Sequence, residues 1–125
     1  MVERYKNVDM QRMLDSLHKQ LDRVDVIGYT AARNARILRD ELTEFFAKRD
    51  ELIVKHGRPQ LDDEGNPTGA TIVPFGTDEF AKFMEELMPL TEIEHEPALM
   101  KLKYEQAIGN LSGTDLLELD WMFED

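Results

Sequence analysis

The chain has 125 residues, and 42% of them are apolar, which predicts one domain with a hydrophobic core and argues against wholesale disorder. The sequence contains no cysteine, which excludes disulfides, a thiolate nucleophile and cysteine-based zinc sites. The formal net charge of −11 disfavours direct binding to the phosphates of nucleic acids.

The first predicted element is a helix that begins near Asn7 or Asp9, either of which can cap it, and ends at about Arg23 or Val24. Its apolar residues recur at alternating intervals of four and three, which is typical of a heptad-like seam. They are Met10, Leu14, Leu17, Leu21 and Val24. We expect this helix to pack on the next one as an antiparallel hairpin.

The rest of the chain is organised around a long helix predicted from Asp25 to Gly57, with Gly57 in the left-handed conformation after its end. Such a helix is about 45 Å long, whereas a compact chain of this size is about 36 Å across. We therefore expect another element or a second subunit to cover its apolar face. That face consists of Ile27, Ala31, Ala35, Leu38, Leu42, Phe45, Leu52 and Ile53.

The residues after Gly57 are rich in glycine and proline and predict a β-hairpin. Residues 62–67 carry aspartate, asparagine and glycine, which favour a tight turn. Gln60-Leu61 and residues 70–73 are the predicted flanking strands. The acidic residues of this turn lack the alternating ligand pattern and the distant bidentate glutamate of a calcium-binding loop.

A third helix is predicted from Thr77, which can cap it, to Pro89, which we expect to end it. Its buried face should consist of Phe80, Phe83, Met84 and Leu87. The alternation in residues 92–96 then predicts a strand with one row of glutamates, and residues 99–104 are a second short strand. A final helix after Ser112 is expected to be buried on more than one side and to fray at Glu124 and Asp125.

Together these elements predict an α+β fold, in which a long antiparallel helical hairpin packs with a small antiparallel β element and two shorter helices. We expect a single domain over residues 1–125, with the helical hairpin in residues 7–57 and an acidic part in residues 58–125. An all-α bundle with irregular loops is the alternative, because every predicted strand is short and lies near a proline or glycine.

Charge is distributed unevenly along the sequence. Residues 1–58 carry 12 Lys+Arg and 10 Asp+Glu, whereas residues 59–125 carry 3 and 16. This asymmetry has three interpretations, which are solubility, contact between the basic helix of one copy and the acidic half of another, and imitation of nucleic acid.

The candidate partner-binding residues lie on the long helix and at the end of the chain. Arg49 interrupts the apolar stripe, so it either extends past its neighbours to solvent or binds an acidic group of a partner. Arg33 and Arg36 form a small basic patch or belong to a solvated helix face. Trp121, with Phe123 near it, either packs in the core or anchors a docking helix.

The sequence gives no evidence of catalysis. Neither of its two serines lies in a nucleophile-elbow pattern, and His18, His56 and His95 are isolated from one another. There is no glycine-rich phosphate loop, so we expect no catalytic residue and no cofactor. The row of Glu92, Glu94 and Glu96 could hold a cation, but such rows more often protect a strand edge, so we predict no metal site.

Several segments resemble a family of small uncharacterised proteins of tailed bacteriophages and prophages. The resemblance covers roughly residues 25–125, through GYTAARNARIL, FFAKRDELIVKHG, DEGNPTG, DEFAKFMEELM, TEIEHEP and LSGTDLLELDWMFED in that order. It implies a phage or prophage origin. The family has no assigned activity, so the resemblance implies no site residue.

The leading hypothesis for function is a non-enzymatic phage or prophage protein that acts through protein–protein interaction, with virion or tail assembly as one setting and a homo-oligomer as the expected form. One alternative is an acidic inhibitor that occupies the nucleic-acid site of a host defence or replication protein, and a second is a metal-dependent enzyme. No apolar run is long enough to span a membrane, and the first residues lack the apolar core of a signal peptide. We expect the cytoplasm of a bacterial host, or the virion, and no membrane partner.

Overall fold

The computed structural model describes residues 3–125 and confirms an α+β fold with a long second helix. The helices are α1 (Asn7–Ser16), α2 (Val26–His56), α3 (Asp78–Thr91), α4 (Tyr104–Ala107) and α5 (Gly113–Glu118), with 3₁₀ turns at His18–Gln20 and Asp120–Met122. The strands are β1 (Tyr5–Lys6), β2 (Arg58–Leu61), β3 (Pro67–Ile72), β4 (Glu94–His95), β5 (Leu102–Lys103) and β6 (Phe123–Glu124).

The chain forms two compact units, which we call the first and second units. The first unit consists of the residues up to Leu42 together with Glu94–Asp125, and the second unit consists of Thr43–Ile93. Helix α2 contributes its N-terminal part to the first unit and its C-terminal part to the second. The prediction of a single domain over residues 1–125 stays a prediction.

Helix α2 is continuous over 31 residues, as the sequence predicts. Asp25 caps it, because its Oδ1 accepts a hydrogen bond from the backbone N–H of Gly28 at 3.1 Å. The predicted apolar stripe is confirmed along the first unit, where every member is buried. These members are Ile27, Ala31, Ala35, Leu38 and Leu42. Two polar residues that the sequence analysis did not place in the core, Thr30 and Asn34, are fully buried as well.

Helix α1 ends earlier than predicted, at Ser16 rather than near Arg23. The Ser16 hydroxyl donates to the backbone carbonyl of Met13 at 2.6 Å, and a serine that bonds back to the preceding turn competes with regular helix geometry. Val24, the last residue of the predicted seam, is fully exposed, so that part of the prediction is wrong. The expected capping by Asn7 or Asp9 is also wrong, because the N-cap position is Lys6 and no side chain caps the helix.

Helix α3 begins as predicted, because the Thr77 hydroxyl accepts a hydrogen bond from the N–H of Phe80 at 3.2 Å. Its most buried residue is Phe83. The prediction that Pro89 ends the helix is wrong, since the helix continues to Thr91. Pro89 lies in the last turn, where the loss of one N–H donor affects a single intrahelical bond, and the helix ends two residues later.

The segment after α3 contains less strand than predicted. Only Glu94–His95 is a strand in the region of residues 92–96, and it pairs antiparallel with β1. Pro97, two residues after this strand, is buried. In the region of residues 99–104 only β5 is extended, and it pairs parallel with β6, which is the last strand of the chain.

The C-terminal segment differs from the predicted terminal helix. Ser112 caps α5 as expected, since its Oγ accepts from the N–H of Asp115 at 3.1 Å, but the helix has only six residues. Glu124 lies in β6 rather than in a fraying helical turn, so that prediction is wrong. Leu117 is 82% exposed, so the helix is not buried on several sides. Leu119, Met122 and Phe123 instead form part of the core of the first unit.

Candidate interaction surface

The second unit carries a β-hairpin in which every residue of both strands is exposed. Strands β2 and β3 pair antiparallel, with Arg58 opposite Ile72 and Leu61 opposite Pro67. The turn between them is the predicted one. The N–H of Asp62 donates to the carbonyl of Asn66 at 2.8 Å, and Gly65 has a φ of 83°, which favours glycine. The hairpin is therefore well formed but covered on neither face.

The side chain of Asp62 stabilises the hairpin turn. The Asp62 carboxylate accepts hydrogen bonds at 2.9 Å from the backbone N–H groups of Glu64 and Asn66. Asp63 and Glu64 extend beyond this turn, and neither side chain forms an ion pair within residues 3–125. The tip of the hairpin thus presents two carboxylates to solvent.

The base of the hairpin lies against the end of α2. Gly57 is not in the left-handed conformation that the sequence predicts. A Cβ at this position would lie 2.3 Å from the carbonyl oxygen of Ile53 and 2.7 Å from Cγ2 of Thr71. Glycine is required here because the last turn of α2 and strand β3 both approach the position too closely for any side chain.

A hydrogen-bonded cluster joins the last turn of α2 to α3 within the second unit. Lys55 Nζ lies 2.7 Å from Oε1 of Glu86, and His56 Nε2 lies 2.6 Å from Oε2 of the same carboxylate. The hydrogen bond from Lys55, followed by that from His56, holds the pKa of Glu86 below its ordinary value. The cluster fixes the helix end from which the hairpin departs.

Large apolar side chains are exposed on and around the hairpin. Phe75, three residues after β3, is 88% exposed, and its ring contacts Phe80 only at an edge, with centroids 5.2 Å apart. The other members in the second unit are Val54, Leu61, Ile72, Met88 and Ile93. An isolated two-stranded hairpin is marginally stable in water, and clustered exposed apolar residues are typical of binding surfaces. We define the hairpin surface as Ile72, Phe75 and the acidic tip. Leu61 is not included, because it lies three residues along β2 from Arg58, the cross-strand partner of Ile72, and alternation therefore places it on the opposite face.

The sequence analysis predicted the hairpin but did not identify it as a candidate surface. The available signal was that Leu61, Ile72 and Phe75 lie among turn residues and polar residues, without the strict alternation that one buried face requires. A strand pair without such alternation has no preferred face toward a core. Its few apolar residues therefore remain exposed.

The five predicted partner-binding residues are divided between the two units, with Arg49 in the second unit and the other four in the first. Arg33 and Arg36 lie on the exposed side of α2 in the first unit. Arg49 lies in the second unit, where its guanidinium bonds to Asp50 at 3.1 Å and is 4.7 Å from the ring centre of Phe46. Trp121 Nε1 donates to the Ser16 hydroxyl at 3.2 Å, and Phe123 is only 5% exposed, so both pack within the first unit.

The glutamate row near β4 already has a cationic neighbour. Arg4 Nε lies 3.6 Å from Glu94 and 3.2 Å from Glu96. His95, between them, contacts the carboxylate of Glu41 at 3.0 Å. Within residues 3–125 no group of three or more His, Asp or Glu side chains is arranged to hold a metal ion. The arginine compensates the charge that a bound cation would otherwise balance.

The folded units do not preserve the charge asymmetry of the sequence. The first unit carries 10 Lys+Arg and 15 Asp+Glu, and the second carries 5 and 11, so their net charges are −5 and −6. The acidic residues 94–125 fold with the more basic N-terminal residues. The two units therefore do not correspond to a basic half and an acidic half. Neither unit has an unusual concentration of negative charge.

Comparisons with known proteins give no assignment. No protein-family model matches the chain, and no curated protein or solved structure matches it either. The resemblance to tailed-phage and prophage proteins therefore stays a prediction. Among the helices of residues 3–125, none combines the length and apolar character needed to span a bilayer.

Proposed function

We propose that this chain is a non-enzymatic interaction protein of phage or prophage origin, which binds another protein through the hairpin surface of its second unit. Virion or tail assembly in a bacterial host is the setting that the sequence resemblance favours. The contact uses the exposed apolar side chains of Ile72 and Phe75, and the acidic tip contributes charge at its edge.

The observation that carries this proposal is that every strand residue of the hairpin is exposed, and that the hairpin surface includes the large apolar residues Ile72 and Phe75. Burial of such side chains supplies about 25 cal/mol for each Å² of apolar surface removed from water. A chain that leaves Phe75 88% exposed gains little from that side chain beyond its edge contact with Phe80. Coverage by a partner would supply this free energy, and an aromatic residue is a typical anchor of such contacts.

The two alternative functions have weaker support. An inhibitor that imitates nucleic acid needs a concentrated array of carboxylates, whereas the negative charge here is divided almost equally between the units. Some carboxylates are also paired with Arg4, Lys55 or Lys103. A metal-dependent enzyme would use the glutamate row, in which Arg4 already contacts two carboxylates. The exposed apolar residues of the hairpin surface are accounted for by the protein–protein interaction hypothesis and not by either alternative.

Site-specific photo-crosslinking tests the proposal. The photoreactive residue p-benzoylphenylalanine replaces Phe75 in the full chain, which is expressed in a bacterial host carrying the phage or prophage and is irradiated there. We expect a discrete covalent protein adduct, because the ring at this position lies within the contact. The adduct is identified by mass spectrometry of the cross-linked peptides.

Leu117 provides a matched control for this experiment. It is 82% exposed and apolar. It belongs to α5 of the first unit, whereas the hairpin surface belongs to the second unit. The same photoreactive residue at position 117 should give no discrete adduct. Equal adducts at both positions, or none at position 75, would contradict the proposal.

A further inference from the structure

The two ends of the hairpin carry opposite charges that form no ion pairs with residues 3–125. Asp63 and Glu64 are at the tip, and Arg58 is at the start of β2. Arg58 forms no ion pair in the described part of the chain. About four residues of strand separate these ends, which is roughly 13 Å at 3.3 Å per residue. A surface with a cation at one end and anions at the other is complementary to an inverted copy of itself.

We infer that the partner of the hairpin surface is a second copy of this chain, bound across a two-fold axis so that each acidic tip contacts the base of the other hairpin. This inference rests on the proposed function and names its partner. In a two-fold interface any contact between two different positions occurs twice, so one complementary pair of ends gives two clusters of ion pairs. Ile72 and Phe75 of the two copies are covered between them.

The base of the hairpin has a recess that suits an acidic side chain. A pocket of about 220 Å³ is lined by His56, Gly57, Arg58, Pro74 and Glu79. Small-molecule pockets are usually about 300–1,000 Å³, so this recess is too small for a typical ligand but has room for one or two side chains. It lies in the second unit, like the hairpin itself.

The formal charges around this recess nearly cancel, and Arg58 is what it offers to a carboxylate. Arg58 is a cation without a competing partner among residues 3–125, whereas His56 and the neighbouring Lys55 are already bound to Glu86. Glu79 is the one acidic lining residue and opposes the contact. Arg58 is therefore the group that must hold the tip, and the interaction should weaken as salt concentration rises.

Charge reversal tests this geometry in purified full-length protein, with sedimentation velocity as the measure of association. Arg58→Glu alone should place like charges at both contact clusters of the pair, and so should the double substitution Asp63→Lys/Glu64→Lys. Each should raise the dissociation constant of the dimer by about tenfold or more, because like charges across an interface are strongly unfavourable. Combining all three substitutions in one chain should restore association.

Mixing the two charge-reversed proteins is the most direct test of the two-fold arrangement. In a two-fold arrangement one copy of Arg58→Glu and one copy of Asp63→Lys/Glu64→Lys have opposite charges at both clusters. We therefore expect the mixture to form a mixed dimer, identified by its intermediate mass in native mass spectrometry, although neither protein associates alone. All three positions are exposed, and unchanged circular dichroism and thermal midpoints confirm that each variant is folded.

Phe75→Ser and Leu117→Ser supply a second, charge-independent comparison. Phe75→Ser should weaken the dimer, whereas Leu117→Ser should not, because only Phe75 belongs to the hairpin surface. A wild-type protein that stays at 14.5 kDa at every accessible concentration would overturn the inference, and so would a dimer that is indifferent to all the charge reversals. If position 75 then cross-links to a different protein, the proposed function survives and only the identity of the partner is wrong.

Discussion

The side chain of Asn34 exchanges two hydrogen bonds with the backbone of Met100. Its Nδ2 donates to the Met100 carbonyl at 2.9 Å, and its Oδ1 accepts from the Met100 N–H at 2.7 Å. Asn34 is fully buried on α2, and Met100 lies in an irregular segment between β4 and β5. The Asn34 carboxamide therefore satisfies the backbone N–H and carbonyl groups of Met100, which lies outside the strands.

Replacing Asn34 by alanine should lower the free energy of unfolding by about 2 kcal/mol, because two hydrogen bonds to the backbone of the half-buried Met100 are lost. Urea denaturation followed by circular dichroism measures this change. Arg36→Ala on the exposed side of the same helix is the control and should change stability by less than about 0.5 kcal/mol. Equal effects of the two substitutions would show that the carboxamide contact contributes little.

Gly57→Ala should disrupt the hairpin base, because the added methyl group would lie 2.3 Å from the Ile53 carbonyl oxygen. We expect faster amide hydrogen exchange over residues 58–72 and a stability loss of about 1–3 kcal/mol, the range for overpacking. Gly113→Ala is the matched control, since no heavy atom lies within 4 Å of a Cβ at that position. The control should be neutral or slightly stabilising, because alanine favours the helix. Unchanged exchange in the Gly57 variant would refute the close approach of β3.

Asp25 should contribute a pH-dependent stabilisation. A side-chain hydrogen bond from Arg23, with a second bond from the N–H of Gly28, lowers the pKa of Asp25 to about 2. Since the folded-state pKa is below the ordinary value of 3.8, the stabilisation is present above about pH 4 and is lost as the pH falls toward 2. Asp25→Asn keeps a capping oxygen but removes the charge.

Thermal unfolding of the wild type and Asp25→Asn between pH 2 and pH 6 measures this contribution. We expect the wild type to have the higher melting temperature above about pH 4 and the two proteins to converge near pH 2. Asp22→Asn, which removes a nearby exposed charge that forms no ion pair within residues 3–125, is the control and should not show this convergence. A constant difference at all pH values would mean that the Arg23 contact does not depend on ionisation.

Local and periodic signals predicted much of the fold. The spacing of Ile27, Ala31, Leu38 and Leu42 identified the buried face of α2, and the Asp62 to Asn66 turn followed from glycine and aspartate chemistry. Thr77 was identified as a cap because a hydroxyl before an acidic first turn is a local pattern. In each case the physical determinant lies within a few residues of the structure that it specifies.

The elements that the sequence did not predict depend on distant partners. Strand β1 exists because it pairs with β4, about 90 residues later in the chain, and β5 pairs with β6 across about 20 residues. Two-residue strands carry no periodic pattern of their own. The burial of Asn34 follows from its pairing with Met100, so its polar character gave no local sign of a core position.

The candidate surface was harder to predict than the fold. Exposure of Phe75 is a property of the folded second unit, and an isolated phenylalanine in a sequence is more often buried. The candidates chosen from the sequence, Trp121 and Phe123, are instead used for packing in the first unit. Aromatic character in the sequence identified residues that form contacts. It could not show whether those contacts are made within the chain or with a partner protein.

Amide hydrogen exchange of the wild-type protein, measured over a dilution series, tests the central claim most directly. If the hairpin surface is covered by a second copy, exchange of residues 58–72 should slow as the protein concentration rises, while exchange in α5 stays constant. The mass from light scattering should rise over the same series from 14.5 kDa toward twice that value. Exchange over residues 58–72 that is independent of concentration, together with a constant monomer mass, would contradict the account.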